Sequence, residues 1–491
     1  MTRTTVTLTV SSATLLVLLL TALASAQSPL EHLPYSGGVL MARAIRDGRV
    51  HVGIFNGQRP PNPDLKCSPA PCILPNANAS GTTSVANETP VAVNGKNSKQ
   101  ILTGANDYTC SNIQGFYEST DGGMTWNHTC LNALSGDYGD GDPIVGIDLK
   151  GNSFVGGIDA GSNTTIGLEK STDGGKTWSS PFASVKYLLS GSIVDKPWLQ
   201  IDVNPKSKYV NSLYISATQF DGSSDSEISV SSSHDGGSTW KTVAVDSLQT
   251  YPSNVDQFSD VGIATDGTVY ATWMRCPASA GDCAGQTATF YMTKSTDGGS
   301  TWTKPSALFT ATLAGGTCGF YGCLPNTSER VSDIPVIGID NSNGPHKGNL
   351  YVVYYNWTGT YMQVFVATSN NGGKKWKSKA VAPSSDTHDQ FFPWLSVNSK
   401  GTVGVSWLDR RNDSNNVNYE SFGAFSTNGG ASFSTNQDLS AKPSDPFNDG
   451  FGGGFMGDYT GDYWAGNKTF YVTFTDTTTG IAQDFLGGYL R

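Results

Sequence analysis

Ser119-Thr-Asp121-Gly-Gly-Met-Thr-Trp126 is written six times along this chain with conservative changes, and its repetition decides the fold. The other copies are Ser171-Thr-Asp173-Gly-Gly-Lys-Thr-Trp178, Ser233-His-Asp235-Gly-Gly-Ser-Thr-Trp240, Ser295-Thr-Asp297-Gly-Gly-Ser-Thr-Trp302, Ser369-Asn-Asn371-Gly-Gly-Lys-Lys-Trp376 and Ser426-Thr-Asn428-Gly-Gly-Ala-Ser-Phe433. A fixed phrase recurring every few tens of residues marks stacked or radial supersecondary units. Each copy lies between two β-rich runs. Asp or Asn followed by two glycines supplies what a tight hairpin needs, a side chain that bonds backbone amides and residues that accept positive φ. The aromatic that closes the phrase packs the turn back onto its own strands.

The phrase resembles the Asp-box, or BNR repeat, of the sialidase-like β-propellers. The resemblance implies an all-β propeller in which the repeated turn joins the third and fourth strands of each blade, away from the active site. The repeated aspartates therefore read as structural.

A second phrase, an acidic residue leading through Pro into an apolar strand, precedes each box. Its forms are Glu88-Thr-Pro-Val-Ala-Val, Asp142-Pro-Ile-Val-Gly-Ile, Asp195-Lys-Pro-Trp-Leu-Gln-Ile and Asp333-Ile-Pro-Val-Ile-Gly-Ile. Asp256-Gln-Phe-Ser-Asp260-Val-Gly-Ile and Asp389-Gln-Phe-Phe-Pro-Trp-Leu are related, and Phe455-Met-Gly-Asp458-Tyr-Thr-Gly is a degenerate seventh. Continuous apolar strands of this kind fit innermost strands buried on both faces. Seven openings and six boxes point to a single β-propeller of seven four-stranded blades, with six as the alternative. The last unit holds about three strands, so its outer strand is expected from the N-terminal region, within residues 38–45 or 49–54, closing the ring. Residues 27–86 thus read as the closing strand plus a Pro- and Asn-rich leader, and 87–491 as the propeller.

Residues 1–26 read as a secretory signal peptide, with Arg3, the apolar run Thr14–Leu20 and the small-residue site Ala24-Ser25-Ala26. Secretion to the extracellular space follows, with the periplasm as the alternative. Eight cysteines fall into four close pairs, Cys67/Cys72, Cys110/Cys130, Cys276/Cys283 and Cys318/Cys323, which in an exported chain read as local disulfides. The net charge of −10 and the lack of basic clusters argue against nucleic acid and anionic membranes as partners. A carbohydrate or glycoconjugate partner and a monomer are expected.

If the boxes mark one face, the strand openings and the loops after the second strands share the other, around a central funnel where ligand is to be sought. Carboxylates, guanidinium groups and aromatic faces suit polyhydroxylated ligands. The residues that break the repeat are the candidate catalytic set: Asp409, Arg410, Arg275, Asp458 and Tyr459. Trp273, Trp407, Arg411, Trp357 and the opening acids Asp142, Asp195, Asp260, Asp333 and Asp389 are the candidate ligand-binding set. An Asp before Pro also caps its own strand, so a structural role stands beside the functional one. Asp137, Asp140 and Asp142 offer oxygen ligands at the spacing a Ca²⁺ site uses. A member of the sialidase superfamily is expected to carry an Arg-Ile-Pro motif and three arginines clamping a substrate carboxylate. No Arg-Ile-Pro occurs here. The reading is a sialidase-like propeller that acts on or recognises glycans, a glycoside hydrolase or polysaccharide lyase if an enzyme. The alternatives are a non-catalytic carbohydrate- or protein-binding propeller and a structural or assembly protein.

Overall fold

The computed structural model describes residues 30–161, 164–190 and 193–491, so the signal-peptide reading lies outside the described residues. Its strands form seven antiparallel sheets, each a blade. The blades occupy residues 86–130, 137–183, 193–244, 255–312, 336–380, 390–438 and 461–490 in chain order. The inner strands Val91–Asn94, Ile144–Ile147, Ile193–Ile201, Val255–Ile263, Val336–Ile339, Gln390–Val397 and Gly461–Ala465 each pack on the next, and the seventh packs on the first. They are the apolar runs that follow the acidic openings, and almost every residue in them is buried.

The ring closes as expected, with a strand from the N-terminal region, but not with either stretch expected to supply it. The closing strand is β1 (Cys72–Asn78), paired antiparallel to Gln483–Leu490 as the outer strand of the seventh blade. Residues 38–45 instead lie in helix α1 (Gly37–Arg46). Val39-Leu-Met-Ala-Arg-Ala-Ile is rich in good helix formers, Ser36 caps the first turn by accepting from Val39 N, and Arg43 and Arg46 sit at the negative end of the helix dipole. Residues 49–54 pair only through an isolated bridge between Ile54 and Ser84.

The repeated phrase forms the same turn six times, between third and fourth strands. In the third copy Ser233 Oγ accepts from Gly237 N at 2.9 Å, and Asp235 Oδ1 accepts from Ser238 N at 3.0 Å and Thr239 N at 2.9 Å. Trp240 Nε1 donates to Gly237 O at 3.0 Å, which seats the ring over the turn. Gly236 and Gly237 hold φ of 73° and 94°, where a side chain is disfavoured. With these turns on one face, the openings and the second-to-third-strand loops lie on the other. The four disulfides join the cysteines as paired by proximity. No helix among the described residues is long and apolar enough to cross a membrane.

Candidate functional site

The openings do not run straight into their strands. Glu88, Asp142, Lys196, Phe258 and Phe392 hold left-handed φ of 47–62°, and the inner strands of blades three, four and six slip register at this point. Such a bulge breaks the alternation of a strand and re-aims its side chains. Non-glycine residues in this region store strain, a feature that gathers at functional sites.

Four opening acids, Glu88, Asp142, Asp195 and Asp458, are fully buried together at the mouth with two cationic side chains, Lys196 and Arg330. Arg330 Nε lies 3.0 Å from Asp458 Oδ1. Lys196 Nζ lies 3.4 Å from the centre of the Tyr459 ring, whose hydroxyl donates to Pro143 O at 2.9 Å. Trp198 and Trp394 flank Tyr459, with centroids 5.7 and 6.1 Å from it. Burial, with Asp458 beside it, pushes the Glu88 carboxyl up to about 7. Burial and then Glu88 push Asp142 well up. Glu88 Oε2 and Asp142 Oδ2 are both buried without a hydrogen-bond partner among the described residues.

The occupant of this mouth is the chain itself. Ser36 N donates to Asp195 Oδ2 at 2.8 Å, Ser36 Oγ donates to Asp142 Oδ1 at 3.1 Å, and Gly37 N donates to Asp458 Oδ2 at 2.6 Å. Pro34 O accepts from Tyr321 Oη at 2.7 Å and from Gln257 Nε2 at 3.1 Å, and Tyr35 O accepts from Arg330 at 3.2 Å. The positive end of helix α1 therefore points at three carboxylates.

The remaining sequence candidates divide. Asp260 accepts from Ile337 N at 2.7 Å, Asp333 from Tyr355 N at 2.9 Å and Asp389 from Met362 N at 3.0 Å. Asp260 and Asp389 each reach the strand of a neighbouring blade, and Asp333 bonds its own blade's second strand, so the capping role expected of an opening acid becomes stapling within and between blades. Arg410 is completely buried on Asp389 Oδ2 at 3.4 Å, Pro325 O at 2.7 Å and Asn416 O at 3.0 Å. Arg275 holds Asp256 with two bonds of 2.7 and 2.8 Å and also meets Asp246. Asp409 and Arg411 pair with each other, Arg411 also reaching Asp386 at 3.0 Å. Trp273 and Trp407 were expected to face ligand and are instead fully buried, Trp407 Nε1 donating to Asp409 Oδ2 at 2.6 Å. In a second strand covered by sheets on both sides, the widest apolar side chain belongs in the core. Trp357 is only partly buried, against the core.

The acids grouped as a Ca²⁺ site diverge. Asp140 pairs with Arg46, Asp142 with Ser36, and Asp137 lies in the strand Asp137–Gly139. Among the described residues the one close group with metal-ligand atoms is Cys110, His128 and Cys130, two of which are joined in a disulfide.

Sequence reasoning missed Lys196, Arg330 and Ser36. Lys196 stood inside a quoted opening, where it is the lone cation among the seven. Arg330 follows the Cys318–Cys323 loop in an insertion that obeys no repeat, so only the fold brings it to the mouth.

Seven closed blades and an acid-lined mouth opposite the repeated turns define a sialidase-like β-propeller. No family profile matches the chain. It is 25% identical over 321 residues to a sialidase of Bacteroides fragilis, an alignment taking in 59% of this chain and 53% of that protein, so the chain spans about half the length of the curated relative it matches. Among solved structures it is similar to a Hadza microbial sialidase, at 13% identity and a TM-score of 0.43 over 83% of this chain and 66% of the other. It is also similar to the α-L-arabinanase of Penicillium chrysogenum complexed with arabinobiose, at 14% identity and a TM-score of 0.44 over 71% and 92% of the two chains.

Proposed function

We propose that this is a secreted propeller that recognises and cleaves glycans at the funnel mouth. The observation that carries the reading is the convergence of Asp142, Asp195 and Asp458 on hydrogen-bond donors beside the aromatic wall of Tyr459, Trp198 and Trp394. Carboxylate acceptors and ring faces are how proteins hold sugar hydroxyls and sugar C–H surfaces. Within the mouth, Glu88 and Asp142 are the candidate proton-transferring pair, because a carboxyl kept protonated near neutrality can donate to a leaving oxygen while its partner accepts. Asp458 positions that pair: its N donates to Glu88 Oε1 at 3.0 Å. Four disulfides and the N-terminal leader support export.

A non-catalytic glycan-binding propeller is the second reading, and one observation favours it. Arg275, Arg330 and Arg410 are each committed to a carboxylate of the chain rather than gathered into one clamp.

A glycan array and a fluorogenic glycoside panel separate the two. Asp195→Asn is expected to weaken binding, and turnover if there is any, by about tenfold or more, the loss of one charged acceptor. Asp297→Ala, in a repeated turn on the opposite face, is expected to leave both unchanged. Binding without turnover of any glycoside selects the second reading, and binding that survives Asp195→Asn removes the mouth as the site.

A further inference from the structure

The segment from Leu30 to Val50 is a separate piece of chain laid over the mouth, and nothing in blade geometry requires it. The ring is closed by β1, which lies further along the chain. The segment folds on itself, with Arg43 over the Tyr35 ring at 4.6 Å and Arg49 reaching Glu31 at 3.3 Å. Its apolar side, Val39, Leu40, Met41 and Ala44, is buried in the funnel. Residues 56–61, between it and the ring, are mostly exposed.

The fit at the tip is close. A methyl group on Gly37 would lie 2.0 Å from the Phe455 ring, and one on Gly38 would lie 2.3 Å from Asp142 Oδ1. Only backbone fits there. What the tip presents to the acids is the Ser36 side-chain hydroxyl and two backbone N–H donors, those of Ser36 and Gly37. A polyhydroxylated ligand offers the same donors to the same oxygens. Beneath them Glu88 Oε2 and Asp142 Oδ2, both fully buried, lack any donor from the plug. A ligand with one more hydroxyl than the Ser36–Gly37 tip would supply it.

We propose that residues 30–50 are an intramolecular inhibitor, whose Ser36–Gly38 tip occupies the place of a donor-rich sugar, and that glycan enters the mouth only when this segment withdraws. The inference rests on the mouth being the glycan site. It adds that the resting chain is self-blocked. The observed affinity for glycan is then the intrinsic affinity reduced by the fraction of molecules with the segment withdrawn. Withdrawal exposes Asp142, Asp195 and Asp458 to solvent and leaves the blades, with their closing strand β1, in place.

The test uses the full chain with a protease site inserted between Gly57 and Gln58, purified folded and then cut. Glycan-array binding is compared for the uncut chain, the cut chain and an uncut Gly38→Leu chain, whose side chain has no room beside Asp142. Expected are half-saturating concentrations at least about tenfold lower for the cut and Gly38→Leu chains, on the same glycans, with synthetic peptide 30–50 competing on the cut chain. Equal affinity in all three chains overturns the inhibitor while leaving the glycan reading intact. Absence of glycan binding in all three, with the cut segment shown by mass spectrometry to have left a ring that still unfolds cooperatively, overturns the glycan reading and the inhibitor with it. Because the cut is made after folding, a Gly38→Leu chain that fails to fold leaves the comparison of cut and uncut chains standing.

Discussion

Arg330→Ala is expected to cost about 3–5 kcal/mol of stability, because it leaves a buried carboxylate without its cation. Arg330 is 2% exposed and Asp458 is not exposed at all, so water cannot take over the ion pair. The same guanidinium donates to Tyr35 O, and Asp458 accepts from Gly37 N, so one side chain ties the insertion, the seventh opening and the N-terminal segment together. Equilibrium urea unfolding reads the effect as a lower midpoint. The paired replacement Arg330→Met with Asp458→Asn is expected to cost less than the sum of the two single changes, since neither charge is then left alone. An Arg330→Ala midpoint within error of the wild type would show that the pair contributes nothing.

The second large effect is on pH. Burial pushes the Asp260 and Asp462 carboxyls up to about 7, and burial with Asp458 does the same to Glu88, whereas an unfolded chain ionises them near 4. Below pH 4 these groups are protonated in both states and their contribution is fully present. Between 4 and 7 the unfolded chain releases protons that the folded chain keeps, so stability falls as pH rises, and the loss is complete above 7. The repeated turns act in the opposite sense. Thr177 and Thr239 hold Asp173 and Asp235 down to about 2 through their hydroxyls, a contribution present above pH 4 and lost as pH falls through 2. The two sets together place the stability maximum near pH 4. Thermal unfolding is expected to give a midpoint at pH 5 at least about 3 °C above that at pH 8. A midpoint that rises from pH 5 to 8 would contradict the protonated state assigned to the openings.

The architecture was legible because it is repeated. Six copies of one turn and seven openings state the blade number, and a local phrase such as Ser233-His-Asp235-Gly-Gly folds by its own hydrogen bonds, with little help from elsewhere. The identity of the closing strand was not legible, because β1, reading Cys-Ile-Leu-Pro-Asn-Ala-Asn, carries a proline and no alternation, as an edge strand tolerates. The more apolar stretch 38–45 looked better as a strand and went to the mouth as a helix.

The site was half legible for a related reason. Asp142, Asp195, Asp458 and Tyr459 were found because they recur at the openings or break their pattern. Their partners Arg330 and Ser36 come from segments 128 and 422 residues away from Asp458, the sequence distance from 330 and from 36 to 458, and no local pattern connects them. Arg275, Arg410 and Arg411 were singled out because charged residues in second-strand loops stand out in a chain that is 15% charged. In the fold each is held by a nearby acid, Asp256, Asp389 or Asp386, which neutralises the charge that drew attention to it.

The central claim is that the mouth, and neither the repeated turns nor the flank, is where glycan acts. Two shallow grooves offer rival positions, one of about 660 Å³ beside Asn62, Thr109, Trp126 and His128 and one of about 630 Å³ beside Phe433, Gln437 and Tyr489. Photo-crosslinking the chain with the best glycan from the array, followed by peptide mapping, distinguishes them directly. Crosslinks on the peptides that carry Glu88, Asp142, Asp195 and Asp458 are predicted. Crosslinks confined to the Asp-Gly-Gly turns or to either groove would contradict the account.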